Sequence, residues 1–201
     1  MPHSYTYGEI TMMLRSALVI LALLPFSFAQ TDSTPVAHYQ SHRIAPGSVA
    51  LLPDAKVTPG VADPAAVADL TKAPHMVGGV ERNLCAADFR TEPIRSSIKD
   101  FEKLKKEVCT EYGVTTCDDT YEGDHLISLE NGGCKDCIAN LWPEPVDNAG
   151  VVGYHTKDVI ENRTHELICA GKITLQQAQQ GLAGDWYQFA INNGILPPKT
   201  E

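Results

Sequence analysis

The chain has 201 residues, 43% of them apolar, and a formal net charge of −9 at neutral pH. An acidic balance of this size excludes tight nonspecific binding to nucleic acid, which needs a basic surface that neutralises phosphates. The sequence contains no P-loop, Rossmann glycine pattern, Gly-x-Ser-x-Gly elbow or zincin motif, so it gives no indication of a nucleotide-dependent enzyme or a serine hydrolase.

The first 29 residues have the pattern of a secretory signal peptide. An apolar run at 14–24 contains one basic residue, Arg15, and is followed by the small residues of 27–29, as in a charged region, a short apolar region and a cleavage site. The run is shorter than the about 20 apolar residues of a membrane helix. We therefore predict cleavage near Ala29, a secreted or periplasmic protein, and no stable membrane association. The opening MPHSYTYGEIT indicates an upstream start extension.

Residues 30–75 are rich in Pro, Ala, Ser, Thr and Val and have no sustained periodicity, which predicts a flexible leader. The remaining residues, 76–201, suffice for one compact domain. Its first predicted helix is 97–112, because apolar residues recur at helical spacing behind a serine that can cap the N-terminus.

A β-hairpin is predicted after this helix. The apolar residues of 126–129 indicate a short strand, the Asn-Gly-Gly of 131–133 indicates a turn, and 138–142 indicates a return strand. Asp124 and His125 would then lie together where the first strand starts, with side chains on opposite faces.

Two helices are predicted after the hairpin. The first is Tyr154–Cys169, which ends at Ala170 and Gly171, and the second begins at a Thr174 cap. One side of the first helix is predicted to pack on the hairpin through Ile160, Thr164, Leu167 and Ile168. The second helix has a core stripe of Leu175, Ala178, Leu182, Trp186 and Phe189. The predicted fold class is α+β, a hairpin and helix packed with additional helices.

Six cysteines in an exported chain indicate disulfides. Locality in the sequence favours Cys109–Cys117 and Cys134–Cys137, which leaves Cys85 for Cys169, although six cysteines allow 15 pairings. The alternative is a structural zinc site made by Cys109, Cys117, Cys134 and Cys137, for which the 109/117 spacing is unsuitable.

The hairpin carries groups that suit phosphodiester hydrolysis. That reaction needs a base for the attacking water and a cation beside the phosphate. The imidazole of His125 titrates near working pH and fits the base, while Asp124 fits a ligand of one divalent ion.

The string at 121–145, YEGDHLISLENGGCKDCIANLWPEP, resembles the first two-thirds of an HNH nuclease motif. Its wording is close to the DHLIPLELGG…NLWPEP signature of small secreted bacterial proteins described as HNH-like, and the resemblance extends over most of the chain after Thr58. Ser128 and Asn131 depart from that signature, and the Cys134–Cys137 segment is an insertion in the turn.

The resemblance implies a ββα-metal fold and a metal-dependent endonuclease that cleaves DNA or RNA with weak, transient binding. Asn140 would then align the hairpin and orient His125. The helix after the hairpin would supply a further ligand, Asp158 first, then His155, Asn162 or His165. The ion would be Mg²⁺, with Mn²⁺ or Zn²⁺ as alternatives.

A second hypothesis is a secreted, disulfide-stapled binding module without catalysis. A constellation of Asp124, His125 and Asp158 that is open to solvent favours the enzyme. Burial of His125 under Trp142 or the leader favours the binding module.

Overall fold

The computed structural model describes residues 38–68 and 82–197, which form an α+β fold. The predicted signal peptide at 1–29 lies outside the described residues. Within the described ranges, no helix is both long and apolar enough to cross a membrane.

The first element is an antiparallel pair of strands, β1 (Tyr39–Ala45) and β2 (Ser48–Pro53), joined by a turn at Gly47. The short strand β7 (Val151–Val152) adds to β2 in parallel and completes a three-stranded sheet. Ala50 and Leu52 of β2 are buried in the core.

This sheet corrects the prediction of a flexible leader at 30–75. Over 38–68 the chain forms β1, β2, a segment whose Thr58 is buried and a third short strand at Ala66–Val67, and residues 30–37 and 69–75 lie outside the described part. The averaged composition hid the local pattern, since Tyr39, His42 and Ile44 of β1 are half-buried and β2 is mostly apolar. The residues that pack against them lie far along the chain, from Tyr112, whose ring is 5.1 Å from that of Tyr39, to Ala190 of the last helix.

A second, parallel pair joins β3 (Ala66–Val67) to β4 (Arg82–Asn83), and two helices follow, α1 (Glu92–Ser96) and α2 (Phe101–Glu111). The prediction of one helix at 97–112 capped by Ser97 was wrong at its start. Ser97 ends α1, and its hydroxyl donates to the Ile94 carbonyl at 2.7 Å. Asp100 precedes α2 in a left-handed conformation with φ of 53°, which interrupts a continuous helix.

The predicted hairpin exists with different strands. They are β5 (Tyr121–His125) and β6 (Leu141–Pro145), paired antiparallel. Residues 126–140 form the connection, with 3-10 turns at Leu129–Asn131 and Ile138–Asn140. The apolar residues of 126–129 are buried, but they fill the core from the connection instead of forming a ladder. A short apolar run has the same pattern in either setting, so the strand assignment was misplaced.

The helix predicted at 154–169 is confirmed as α3 (Tyr154–Cys169). The predicted cap at Thr174 is confirmed as well, because its side chain accepts from the Gln177 amide in a capping box. The single last helix is divided into α4 (Leu175–Ala183) and α5 (Trp186–Asn192). Asp185 starts the second of these by accepting from the Gln188 amide.

The core lies between the first sheet, the hairpin and the last three helices. Trp142 and Trp186 are fully buried, as predicted for core anchors. All three predicted disulfides are present, Cys85–Cys169, Cys109–Cys117 and Cys134–Cys137. The alternative zinc site is therefore excluded, because none of the six cysteines is free.

Candidate functional site at the junction of the hairpin and helix α3

The centre of this junction is the amine of Lys157, on the second turn of α3. Its Nζ lies 2.5 Å from Oδ2 of Asp124 and 3.7 Å from Oε2 of Glu144, and it also contacts Oε1 of Glu161. It donates a further hydrogen bond to the backbone carbonyl of His125 at 3.0 Å. Lys157 is 1% exposed and Glu144 is fully buried, so the cluster is shielded from water.

The local structure explains why these groups meet. Lys157 and Glu161 are four residues apart on α3 and therefore lie on one face of the helix. In the hairpin, Asp124 of β5 lies opposite Trp142 of β6, and Glu144 lies two residues after Trp142 on β6. The side chains of Asp124 and Glu144 therefore share the face of the hairpin that meets α3. His125 belongs to the opposite face, where its ring stacks on Phe101 of α2 at 6.2 Å.

The charges of the cluster act strongly on one another. Burial alone would raise the pKa of Asp124, but the Lys157 ammonium and its hydrogen bond hold this pKa below the usual range. Burial lowers the pKa of Lys157, and the three carboxylates reverse this and keep it well above its usual value. Burial raises the pKa values of Glu144 and Glu161 well above their usual range, against the opposing Lys157 charge.

Glu144 is the least satisfied member of the cluster. Neither of its carboxylate oxygens accepts a hydrogen bond, although both are buried. When Glu144 is protonated it can donate to Asp124, which agrees with the lowered pKa of Asp124 and the raised pKa of Glu144. As a carboxylate, Glu144 has only the Lys157 charge beside it.

His125 is held in one orientation. Its Nε2 lies 2.8 Å from the carbonyl oxygen of Lys135, in the connection between β5 and β6. Since a carbonyl only accepts, we assign the proton to Nε2, which leaves Nδ1 as the basic nitrogen. Burial lowers the pKa of His125, so the ring is neutral at neutral pH. The residue is only 6% exposed.

Asn140 lies in the 3-10 turn immediately before β6, not on a strand as predicted. Its Oδ1 accepts from the amides of Ile127 at 3.0 Å and Val61 at 3.2 Å. Its Nδ2 donates to the carbonyls of Ile127 at 3.0 Å and Cys134 at 3.1 Å. These four bonds hold the connection of the hairpin, the kind of positioning that the sequence resemblance implied.

The candidate helix ligands are not brought together around Asp124. His155 is exposed and contacts the ring of Tyr154. His165 donates from Nδ1 to the Glu130 carbonyl at 2.8 Å, and its ring stacks on Phe89. Asp158 is exposed and close enough for the charge of Asp124 to raise its pKa, after the larger effect of burial.

Asp158 and Asn162 instead line a cleft of about 210 Å³ between α1 and α3. Arg95 of α1 forms the opposite wall, and Glu130 lies beside it on the 3-10 turn. Burial and the neighbouring Asp158 raise the pKa of Glu130 to about 7. The Arg95 charge lowers the pKa values of Glu130, Asp158 and the adjacent His125, which joins the cleft electrostatically to the end of β5.

The predicted ligand set does not fit a resident divalent ion. Asp124, the first predicted ligand, is already paired with Lys157, whose ammonium occupies the centre of the carboxylates. A second cation at that point would be repelled at close range. Cys134, Asp136 and Cys137 also lie within ligand distance of one another, but the two sulfurs form a disulfide and lack the thiolate charge that binds a metal.

Five residues of the site were not predicted from the sequence, namely Lys157, Glu144, Glu161, Arg95 and Glu130. Lysine and glutamate on a helix or at a strand end are usually exposed, so their types gave no signal. The one available signal was the four-residue spacing of Lys157 and Glu161, which lie on either side of the predicted ligand Asp158.

Comparison with protein-family models, curated proteins and solved structures gives no match for this chain. The resemblance to HNH nucleases therefore stays a prediction that depends on the string at 121–145.

Proposed function

We propose that this chain is an exported HNH-like phosphodiester hydrolase that cleaves DNA or RNA, with His125 as the general base. The observation that carries the proposal is the orientation of His125 at the end of β5, where the Lys135 carbonyl holds Nε2 at 2.8 Å. An imidazole fixed in this way presents Nδ1 as a base in a constant direction. Export agrees with the three disulfides.

The proposed chemistry uses groups of the junction and the cleft beside it. His125 removes a proton from the attacking hydroxyl, which is water or the 2′-hydroxyl of RNA. Glu130, whose pKa of about 7 leaves a substantial fraction of the carboxyl protonated at neutral pH, can give that proton to the leaving oxygen.

Arg95 supplies the positive charge for the phosphate. It is exposed on the wall of the cleft, and its guanidinium makes no hydrogen bond or ion pair with any residue in 38–68 or 82–197. A planar guanidinium matches two phosphate oxygens. Net acidity elsewhere in the chain agrees with weak, transient binding of the substrate.

The divalent ion predicted from the resemblance is not part of this proposed chemistry, because its predicted ligand Asp124 is already paired with the Lys157 ammonium. The cleavage assay decides whether an ion bound elsewhere contributes. We expect cleavage to persist in EDTA. Stimulation by Mg²⁺, Mn²⁺ or Zn²⁺ would return the ion to the mechanism.

The binding module remains the second candidate because His125 is only 6% exposed. The ring of His125 stacks on Phe101 of α2, whereas burial under Trp142 or the leader is the arrangement expected for a binding module.

The test is cleavage of single-stranded RNA and of plasmid DNA by the purified protein, in EDTA and in each metal. The wild type, His125→Ala and His38→Ala are compared, because His38 is an exposed histidine outside the junction. We expect the wild type and His38→Ala to cleave at equal rates and His125→Ala to lose at least about 100-fold, the usual contribution of a general base. Absence of cleavage by the wild type under every condition would favour the binding module.

A further inference from the structure

All hydrogen-bond and ion-pair partners of the Lys157 amine in the described part of the chain are oxygen atoms. They comprise carboxylate oxygens of Asp124, Glu144 and Glu161 and the carbonyl oxygen of His125. Carboxylates together with one backbone carbonyl are the ligand set that Mg²⁺, Mn²⁺ and Ca²⁺ prefer in proteins. Here the same set surrounds an ammonium group.

The three carboxyl groups of the cluster, when ionised, could balance more positive charge than one ammonium carries. Three carboxyl groups face a single amine, and Lys157, Glu144 and Glu161 are buried while Asp124 is 17% exposed. Glu144 is fully buried, and neither of its carboxylate oxygens accepts a hydrogen bond. A buried carboxylate without donors is a costly arrangement that a divalent ion would relieve.

We propose that Lys157 is the resident cation of a latent divalent-metal site, so that its ammonium replaces the metal ion at the junction of β5, β6 and α3. Removal of the Lys157 side chain beyond Cβ then creates a site for one divalent ion held by Asp124, Glu144 and Glu161. The inference does not depend on the proposed hydrolysis, because it concerns which cation the carboxylates hold.

The position of Lys157 on α3 supports this replacement. Its amine connects the helix to the last two residues of β5 and to β6, which are the same elements that an ion bound at this point would connect. A lysine connects these elements whether or not a metal ion is available. Its single positive charge balances one carboxylate, and protons on the two glutamates neutralise the other two.

The experiment measures Mn²⁺ binding to the purified whole protein by electron paramagnetic resonance and calorimetry. The proteins compared are the wild type, Asp124→Asn, Lys157→Ala, Lys157→Ala with Asp124→Asn, and Lys157→Ala with Glu166→Gln. Glu166 is the matched control, since it is an exposed glutamate on the same helix. Circular dichroism and thermal melting with and without Mn²⁺ report the fold of each variant.

We expect no stoichiometric Mn²⁺ binding by the wild type and one bound Mn²⁺ in Lys157→Ala. Asp124→Asn should then weaken the binding by roughly 10-fold or more, the usual effect of losing a supporting group at a metal site, whereas Glu166→Gln should not. Mn²⁺ should also raise the melting temperature of Lys157→Ala and leave that of the wild type unchanged.

Two results would overturn the inference. One is a wild-type protein that binds Mn²⁺ stoichiometrically and loses it on Asp124→Asn. The other is a Lys157→Ala variant that binds no more Mn²⁺ than the wild type, or that remains unfolded when Mn²⁺ is present. Neither result depends on cleavage, so both are distinct from failure of the proposed function.

Discussion

The Lys157 ammonium lies 2.5 Å from Oδ2 of Asp124 and ties the end of β5 to α3. Both groups are shielded from water, and Lys157 has two further carboxylates within reach. Removing one member of a buried ion pair leaves the other without compensation, so the cost is larger than the net contribution of the pair.

Asp124→Asn is therefore expected to lower the free energy of unfolding by about 3 kcal/mol, the low end of the range for broken buried pairs, because Glu144 and Glu161 still compensate Lys157. Urea unfolding at neutral pH measures this. The control is Glu166→Gln, which removes an exposed pair with Arg163 and should cost under about 1 kcal/mol. Equal losses in the two variants would contradict the buried network.

The Cys85–Cys169 disulfide spans a sequence separation of 84 and joins the segment before α1 to the end of α3. Changing both cysteines to alanine should lower the free energy of unfolding by about 2–5 kcal/mol, because the unfolded chain regains the entropy of a long loop. The same change at Cys134 and Cys137, which are separated by 3, should cost less. Urea unfolding under non-reducing conditions compares them, and a larger loss at the short bridge would refute the expectation.

Asn140→Ala removes four hydrogen bonds from the connection between β5 and β6. The amides of Val61 and Ile127 then have no acceptor, and each buried group left unpaired costs about 1–3 kcal/mol. Hydrogen exchange at these two amides should accelerate strongly. Asn148→Ala is the control, since its exposed side chain makes one long bond at 3.4 Å. Unchanged exchange in Asn140→Ala would show that the connection is held by other contacts.

Several elements could be predicted from the sequence because their signals are local. The helix Tyr154–Cys169 has its glycine stop, and Thr174 has its capping partner three residues ahead. The disulfides Cys109–Cys117 and Cys134–Cys137 were predicted from proximity in the chain, which left Cys85 for Cys169. The ββ-then-α order was also predicted, although the strands themselves lay a few residues away from their expected positions.

Features that depend on long-range packing could not be predicted. β1 and β2 join the core through residues distant in the sequence, since β2 pairs with β7, and Ala50 and Leu52 belong to one cluster with Trp142 and Trp186. Lys157 and Glu144 are of residue types that are normally exposed, and their burial depends on meeting each other across 13 residues. Asp124 and His125 were recognised, but the cation beside Asp124 was expected to be a metal ion.

Glu130 should make stability depend on pH. Burial raises its pKa to about 7 in the fold, against the ordinary 4.5. The native state thus holds a proton that the unfolded state releases between these values, so stability falls as the pH rises from about 4.5 to 7. Glu130→Gln should remove this dependence and stabilise the protein above pH 7 by an amount on the order of 3 kcal/mol at most.

Thermal or urea unfolding at several pH values measures this difference. The charged groups that face Glu130 are Asp158, Lys157, Arg95 and Glu161, and all four are kept in the variant. Glu166→Gln provides the comparison, since that carboxylate is exposed. A wild type and a Glu130→Gln variant with parallel pH profiles would contradict the raised pKa.

The most direct measurement of the central claim is chemical rescue of His125→Ala by imidazole. If His125 is the general base, free imidazole entering the space left by the side chain should restore cleavage in proportion to its concentration, while His38→Ala should be unaffected. Rescue would separate the role of a base from a purely structural role of the ring against Phe101. A His125→Ala variant that cleaves as fast as the wild type, or that is folded and inactive at every imidazole concentration, would contradict the claim.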